Sequence, residues 1–347
     1  MKPKHLFAIA LFCLIGLPAA LFIKAAGQTS ATNPQDVTQA SDYQLSGPYI
    51  HKNLTVFLVH GKDQTKKTFL TLQEALAQRK VRVYETKDVN ELAIRNFSNQ
   101  DVYVQAGDIV RGGEQDRTIS MDFIVPPRSR RMPIAAFCVE SGRWSPRAGE
   151  APASFGSSNN SVATNEMKLA IKSAKSQEAV WENVSKVQGK LVANVSRGVI
   201  NADSPTSLAL SVENSAMKAT TAEYITALSG IARGRTDVIG YVLAVNGQVK
   251  SADIYASHAL FAKLWPKLVN ASAVEAVAEL QPELQVKPVA DDSVRGFLAE
   301  SERPKATTEV TPHVKLVTRE DDKTAFFETQ DRSQKDNWVH RNYIRKQ

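Results

Sequence analysis

Two polar clusters in the first half of the chain hold the residue types best suited to chemistry. The first is Gly112-Gly113-Glu114-Gln115-Asp116-Arg117, and the second is Cys138-Val139-Glu140-Ser141-Gly142-Arg143-Trp144. Each cluster combines carboxylate and guanidinium groups at the end of an apolar segment. Two carboxylates that converge can serve as general acid and general base. Glu140 and Asp116 are therefore the candidate catalytic residues, although the sequence alone does not bring them together.

The same clusters contain groups that bind ligands. Arg117 could form a bidentate pair with a carboxylate or a phosphate, and an internal ion pair with Glu140 or Asp108 is an equal alternative. Arg143 and Trp144 place a planar cation and an indole beside Glu140, which could hold a nucleobase or a sugar ring or could only lock a strand end.

The glycine pair in the first cluster predicts a turn with positive φ, which either directs backbone N–H groups at an anion or forms a β-bulge. Cys138 has no neighbouring base, so we expect a buried, inert thiol. The nine candidate ligand-binding residues are Asp108, Gly112, Gly113, Gln115, Asp116, Arg117, Glu140, Arg143 and Trp144.

Several familiar sites are missing from the sequence pattern. The histidines after the first 27 residues are scattered and form no His-x-x-x-His pair, so we predict no metal site. The chain also has no phosphate loop, no Gly-x-Ser-x-Gly turn and no acidic calcium loop. The sequence therefore identifies no cofactor.

The elements around the clusters are predicted to be strands. Apolar or alternating runs indicate strands at 54–59, 81–85, 91–96, 102–105, 118–125 and 133–139. Thr71 and Glu74 predict a capping box for a helix over 72–78. Residues 145–161 are rich in Ser, Pro, Gly and Asn and are predicted to form a long loop.

The second half of the sequence is richer in helical patterns. A helix that starts near Met167 is expected to end at Gly189, and residues 216–231 form another. A strand is predicted at 206–213, and Asn246-Gly247 predicts a hairpin between strands at 238–245 and 248–255. Ser257 caps a helix that Pro266 either kinks or restarts.

These patterns predict an α+β fold with a β-sandwich or barrel-like first lobe at 49–145 and a helix-rich α/β lobe at 162–347. The loop over 145–161 joins the two lobes within one domain, 49–347. Residues 28–48 are small and polar, and they predict a linker that precedes this domain.

The first 27 residues have the pattern of an export signal. Lys2 and Lys4 precede an apolar stretch over 6–17, and Ala25-Ala26-Gly27 is typical of a cleavage region. We expect cleavage after Gly27 and a periplasmic or extracellular protein. The alternative is an uncleaved membrane anchor over 6–23, which would be the chain's only contact with a membrane.

Net charge bears on the class of partner, and the cysteine count bears on whether a disulfide can form. Loss of the signal, with its three lysines, lowers the formal net charge from +7 to +4, which is too mild to indicate nucleic acid. Only Cys138 would remain, so no internal disulfide can form. A small molecule is one possible partner.

The two clusters, together with Val125-Pro126-Pro127, Val180-Trp181, the segment 245–255 and Leu264-Trp265-Pro266, resemble a family named for its association with ADP-ribosylglycohydrolase and rhodanese-phosphatase domains. The resemblance covers about 50–344. It implies proximity to ADP-ribose or NAD-derived metabolites and implies no particular reaction. The chain departs from the family pattern at Asp108, where Glu is expected, and at Glu114, where Lys is expected.

Three hypotheses follow from the residues and the resemblance. The first is an exported domain that binds a nucleotide or an ADP-ribose-like molecule. The second is a hydrolase that acts on such a ligand with Glu140 or Asp116 as general base. The third is an interaction module in which the polar residues pair with one another and leave no cavity.

Overall fold

The computed structural model describes residues 43–147, 150 and 155–346. The predicted export signal and residues 28–42 of the predicted linker lie outside these described residues. The described chain is an α+β protein with large sheets and a nearly closed, barrel-like sheet, which confirms the predicted fold class.

Seventeen strands lie in the described residues. In chain order they are β1 Gln44–His51, β2 Leu54–His60, β3 Leu70–Thr71, β4 Val81–Glu85, β5 Glu91–Asn96, β6 Val102–Val104, β7 Asp108–Gly112, β8 Arg117–Ile119, β9 Phe123–Val125, β10 Met132–Cys138, β11 Phe155–Ser161, β12 Val238–Val245, β13 Gln248–Tyr255, β14 Ala306–Val310, β15 Val314–Glu320, β16 Thr324–Asp331 and β17 Asn337–Arg345.

The strands form three sheets. An antiparallel eight-stranded sheet has the order β1-β2-β12-β13-β17-β16-β15-β14, a six-stranded sheet has the order β11-β7-β8-β10-β5-β4, and a small sheet has the order β3-β6-β9. The large sheet therefore combines strands from both ends of the described chain. All eight residues of β12 are buried, as its continuous apolar sequence requires.

Seven α-helices lie in the described residues and are joined by short 3₁₀ and π turns. They are α1 Leu72–Ala77, α2 Asn165–Leu169, α3 Gln177–Asn194, α4 Leu208–Glu213, α5 Ser215–Leu228, α6 His258–Ala278 and α7 Asp291–Ser301. A π-helical turn, Ala170–Ala174, follows α2 directly. Most residues of α6 are buried, and this helix packs against β12 and α5.

Local sequence signals were confirmed where they depend on neighbouring residues. Thr71 and Glu74 form the predicted capping box of α1. The Asn246-Gly247 turn joins β12 to β13, and both residues have positive φ. Ser257 caps α6 by accepting a hydrogen bond from the Leu260 N–H group.

Three predicted elements were wrong near the functional clusters. The predicted loop over 145–161 contains β11, whose sequence is too polar to show a strand pattern, yet it pairs with β7. The predicted strand over 206–213 is helix α4, because Ser207 accepts the Leu210 N–H and caps a helical turn. The single predicted strand over 118–125 is two strands, since the chain leaves β8 in the six-stranded sheet and enters β9 in the small sheet.

Two boundaries also differ from the prediction. The linker predicted to extend to residue 48 gives way to β1 at Gln44. Helix α3 continues past Gly189 to Asn194, because Gly189 does not adopt the positive φ of a helix cap. Helix α6 continues through Pro266, so the proline does not start a new helix, and a kink remains the alternative that a continuous helix allows.

Candidate functional site

Strand pairing brings the two candidate catalytic carboxylates together. Cys138 at the end of β10 pairs with Arg117 at the start of β8. Asp116 directly precedes Arg117, and Glu140 lies two residues after Cys138, so both carboxylates lie at the same edge of the six-stranded sheet. The Asp116 N–H group donates to Glu140 Oε2 over 3.1 Å. The convergence that sequence alone left open is therefore present in the fold.

Two arginines and two serines complete this cluster. Arg143 donates to Glu140 through Nε (2.8 Å) and Nη2 (2.7 Å), a bidentate fork. Arg147 donates to Asp116 and, over 3.0 Å, to Glu140. Ser204 donates to Glu140, and Ser207 donates to Asp116 over 2.9 Å. We call Asp116, Glu140, Arg143, Arg147, Ser204 and Ser207 the 116/140 network.

Sequence reasoning missed half of this network. Arg147 lies in the predicted loop, and Ser207 lies in the predicted strand over 206–213, where the structure has the start of α4. Ser204 lies just before that predicted strand, in a segment with no predicted element. The hydroxyl of Ser207 both caps α4 and contacts Asp116. Serine as an N-cap was the one signal that could have placed the start of α4 there.

Each charged side chain of the 116/140 network is paired with an opposite charge inside the network. The side chains of Asp116 and Glu140 are fully buried. Burial by itself would raise the pKa of Glu140, but hydrogen bonds from Arg143 and Ser204 outweigh it and lower that pKa from its ordinary value. A general base for neutral pH needs a pKa nearer to 7. Both carboxylates act as counterions in this geometry.

The glycine pair has the predicted positive φ, 116° at Gly112 and 57° at Gly113. The Gly112 N–H group donates to Asp116 Oδ1 over 3.1 Å, so this amide is already used inside the protein. A Cβ at Gly113 would lie 2.5 Å from the Phe155 ring, which explains why only glycine fits.

Two other candidates point away from the 116/140 network. Arg117 is buried and pairs with Glu85 over 3.0 Å, not with Glu140 or Asp108 as we expected for an internal ion pair. Asp108 pairs with Lys267 on α6. Cys138 is buried as predicted, and burial raises the pKa of its thiol to about 11.

The last two candidates differ in exposure. Gln115 is fully buried, and neither polar atom of its side chain has a hydrogen-bond partner among the described residues. Trp144 is 55% exposed.

A cleft of about 530 Å³ has neither Gln115 nor Trp144 in its lining, and it meets the predicted site through Arg111 and Lys267. We call it the basic cleft, and it is lined by Gln73, Arg111, Asn160, Val212, Glu213, Lys218, Ile225, Pro266, Lys267 and Asn270. Two contacts join it to the predicted site. Arg111 pairs with Glu213 and lies 3.8 Å from Glu150, which in turn pairs with Arg147. The second contact is the ion pair between Lys267, which lines the cleft, and the candidate residue Asp108.

A second buried charge cluster had no sequence signal. His340 on β17 contacts Asp122 through Nδ1 (2.6 Å) and Asp253 through Nε2 (3.0 Å). The hydroxyls of Tyr103 and Thr329 each donate to Asp122 over 2.9 Å. We call these five residues the His340 network. They are far apart in sequence and meet only because four strands, β6, β13, β16 and β17, converge with the segment between β8 and β9.

Burial and charge act in opposite directions in the His340 network. Burial lowers the pKa of His340, but the two carboxylates outweigh it and raise that pKa above its ordinary value. Burial raises the pKa of Asp122, and His340 more than reverses that effect. The imidazole is therefore held as a cation between two carboxylates.

The described residues contain no group of three or more His, Cys, Asp or Glu side chains that is arranged to hold a metal ion. In the same part of the chain, every helix is too short or too polar to span a bilayer.

A family model described as the ARG and Rhodanese-Phosphatase-superfamily-associated Protein domain (ARPP-1) matches residues 42–344. No curated protein and no solved structure matches the chain. Because the family model covers most of the sequence, as the resemblance in the two clusters indicated, the chain belongs to the ARPP-1 family.

Proposed function

We propose that the protein is an exported domain that binds an anionic small molecule, of the nucleotide or ADP-ribose type, in the basic cleft. The observation that carries the proposal is the lining of this cleft by three cations, Arg111, Lys218 and Lys267. Glu213 is the one carboxylate among its lining residues, and Asp108 pairs with Lys267 from outside that lining. Its volume of about 530 Å³ suits a small ligand, since such sites commonly measure about 300–1,000 Å³.

The lining residues would divide the work of recognition. The planar fork of Arg111 suits a phosphate oxygen pair, and Lys218 is exposed and adds a point charge. Asn160 and Asn270, whose amides lie 2.6 Å apart, offer donors and acceptors for ribose hydroxyls or a base edge. A phosphate would compete with Glu213 for Arg111, so binding would loosen that pair.

The 116/140 network would support the cleft from behind. Arg147 holds Glu150 over 2.7 Å, and Glu150 lies beside Arg111. None of the four buried charges of the network lines the basic cleft. This arrangement favours binding over hydrolysis by Glu140 or Asp116, because both carboxylates are committed to arginines.

A thermal-shift titration tests the proposal with ADP-ribose, AMP, inorganic phosphate and uncharged adenosine. A ligand at 100 times its dissociation constant adds about 2.7 kcal/mol of stability, which raises the melting temperature measurably. We expect a rise with the phosphate-bearing compounds and none with adenosine.

Charge reversal inside and outside the cleft gives the matched control. Lys218→Glu should weaken binding at least about tenfold, since a cation that faces the phosphate becomes an anion. Lys66→Glu makes the same change at an exposed position that does not line the cleft, and it should bind normally. No shift with any ligand, or equal binding by both variants, would contradict the proposal.

A further inference from the structure

Ser46, His60 and Asp237 lie in a row across three neighbouring strands of the eight-stranded sheet. His60 Nε2 is 2.7 Å from Ser46 Oγ, and His60 Nδ1 is 2.9 Å from Asp237 Oδ2. Ser46 belongs to β1 and His60 to β2, while Asp237 directly precedes β12. The sheet therefore fixes the backbone of Ser46 and His60 and brings Asp237 next to them at the start of β12.

The hydrogen bonds determine the proton positions. The Asp237 carboxylate only accepts, so the bond to it places the proton of neutral His60 on Nδ1 and leaves Nε2 as an acceptor. The Ser46 hydroxyl must then donate to Nε2. Arg235 Nη1 donates to Ser46 Oγ over 3.2 Å, and the Tyr49 hydroxyl lies 3.4 Å from the same oxygen.

A second cleft, of about 370 Å³, opens beside this row. We call it the Trp338 cleft, and its lining residues are Tyr43, Gln44, His60, Gly61, Lys62, Gln64, Asp237, Ile239 and Trp338. Two members of the row, His60 and Asp237, line it directly. Ser46 lies two positions from Gln44 along the same strand, so both side chains are on one face of the sheet.

We propose that Ser46, His60 and Asp237 form a serine hydrolase triad that cleaves carboxylic esters bound in the Trp338 cleft. Serine as nucleophile, histidine as base and a carboxylate that sets the histidine tautomer is an arrangement defined by geometry and not by chain order. The apolar walls at Ile239 and Trp338 suit the acyl or aryl part of an ester. The site is independent of the basic cleft and of its ligand.

The reaction uses only the ester and water. Ser46 Oγ attacks the carbonyl carbon while its proton passes to His60 Nε2, and Arg235 supplies positive charge beside the developing oxyanion. The bond to the leaving alcohol breaks, and His60 returns the proton to the alcohol oxygen. Water then attacks the acyl-Ser46 ester with His60 again as base, which releases the carboxylic acid and restores the Ser46 hydroxyl.

A fluorophosphonate probe and 4-nitrophenyl acetate test this proposal on the purified protein. We expect the probe to form a covalent bond to Ser46 Oγ with loss of fluoride, located by peptide mass spectrometry. We also expect multiple turnovers of the ester, reduced on the order of a hundredfold or more in Ser46→Ala and in His60→Gln. Ser293→Ala, which removes an exposed hydroxyl on α7, should remain fully active.

Asp237 is a positioning residue, and its variants separate a triad from a structural hydrogen bond. Its side chain is 64% exposed, so water can partly replace it and Asp237→Asn should lower turnover only about tenfold. Asp237→Glu restores a carboxylate acceptor and should recover most of the rate. Both variants should keep the melting temperature.

Three results would overturn the triad. One is a folded protein that the probe does not label at Ser46. Another is labelling of Ser46 that persists in His60→Gln. The third is ester turnover that is equal in Ser46→Ala and in the unmodified protein.

Discussion

The 116/140 network and the His340 network bury similar amounts of charge with different cations. Asp116 and Glu140 pair with two arginines, whereas Asp122 and Asp253 pair with one imidazole. The Lys172 ammonium group adds positive charge near both of these aspartates. Guanidinium groups keep their charge at every pH a protein experiences, while imidazole changes charge within the physiological range. The comparison predicts that one cluster is indifferent to pH and that the other responds to it.

The two networks also differ in what they connect. The 116/140 network joins a strand edge to the start of α4 and to the segment that contains Arg147. The His340 network links the small sheet, through Tyr103, to β13, β16 and β17 of the eight-stranded sheet. The pH-sensitive cluster thus connects two sheets.

The largest effect is expected from breaking the first network. Glu140→Ala leaves Arg143 and Arg147 buried with one carboxylate fewer, and the loss of one partner in a buried ion pair costs about 3–5 kcal/mol. We expect a loss of unfolding free energy toward the upper end of that range, measured by urea unfolding. The loss should be the same at pH 6 and at pH 9, because arginine does not release its proton there.

Glu283→Ala is the matched control, since Glu283 is exposed and should change stability by less than about 0.5 kcal/mol. A loss below about 1 kcal/mol in Glu140→Ala would show that the first network contributes little to folding.

The next effect is expected from the second network. His340→Gln removes the cation between Asp122 and Asp253, at a cost of about 3–4 kcal/mol near pH 6. The pKa of His340 is raised in the folded state, so its contribution is complete below the unfolded value of about 6.5 and is lost as pH rises through the folded value.

Chemical unfolding of both proteins from pH 6 to pH 9 measures this difference. The destabilisation caused by His340→Gln should shrink steadily above pH 6.5. A pH-independent difference would mean that the imidazole is not a cation in the folded protein, and the contrast between the two networks would disappear.

A gain in stability is expected at Glu275, a buried carboxylate on α6 outside both networks. Its Oε2 atom has no hydrogen bond among the described residues, and Lys168 lies 3.9 Å away. Burial raises the pKa of Glu275 from 4.5 to about 7. The folded protein therefore binds more protons than the unfolded chain between those values, and its stability falls as pH rises from 4.5 to 7.

Glu275→Gln should remove this pH dependence. It should stabilise the protein by up to about 3 kcal/mol at pH 8 and change little at pH 4, as measured by urea unfolding at both values. Glu283→Gln is the control and should have no effect at either pH. Equal stability of Glu275→Gln and the unmodified protein at pH 8 would mean that Lys168 fully compensates the buried charge.

The local structures that a few adjacent residues determine were predicted correctly from the sequence. The capping box at Thr71, the Asn246-Gly247 hairpin and the positive φ of Gly112 each follow from a few adjacent side chains. The prediction of a strand where the structure has helix α4 was wrong, because apolar and small residues alternate over Leu208–Val212 in a pattern that is typical of a strand. There the caps and the packing decided the structure against the pattern.

Partner choice between distant segments was beyond the sequence. Arg117 had Glu140 and Asp108 as plausible partners, yet the fold places Glu85 beside it. His340 meets Asp122 and Asp253 only because β17 lies next to β13 in the sheet. A strand pattern fixes which face a side chain occupies but not which strand lies next to it, and that information is set by the complete topology.

The smallest effect on stability is expected at Trp144, and it tests how far the candidate site extends. The indole is 55% exposed, so Trp144→Ala should change the unfolding free energy by less than about 0.5 kcal/mol. Trp265 is only 6% exposed, and its truncation should cost about 3–5 kcal/mol.

Because Trp144 does not line the basic cleft, its removal should also leave ADP-ribose affinity unchanged in a thermal-shift titration. A clear loss of affinity without a loss of stability would mean that the bound molecule reaches past Arg111 to the indole. The 116/140 network would then form one wall of the binding site in addition to supporting it.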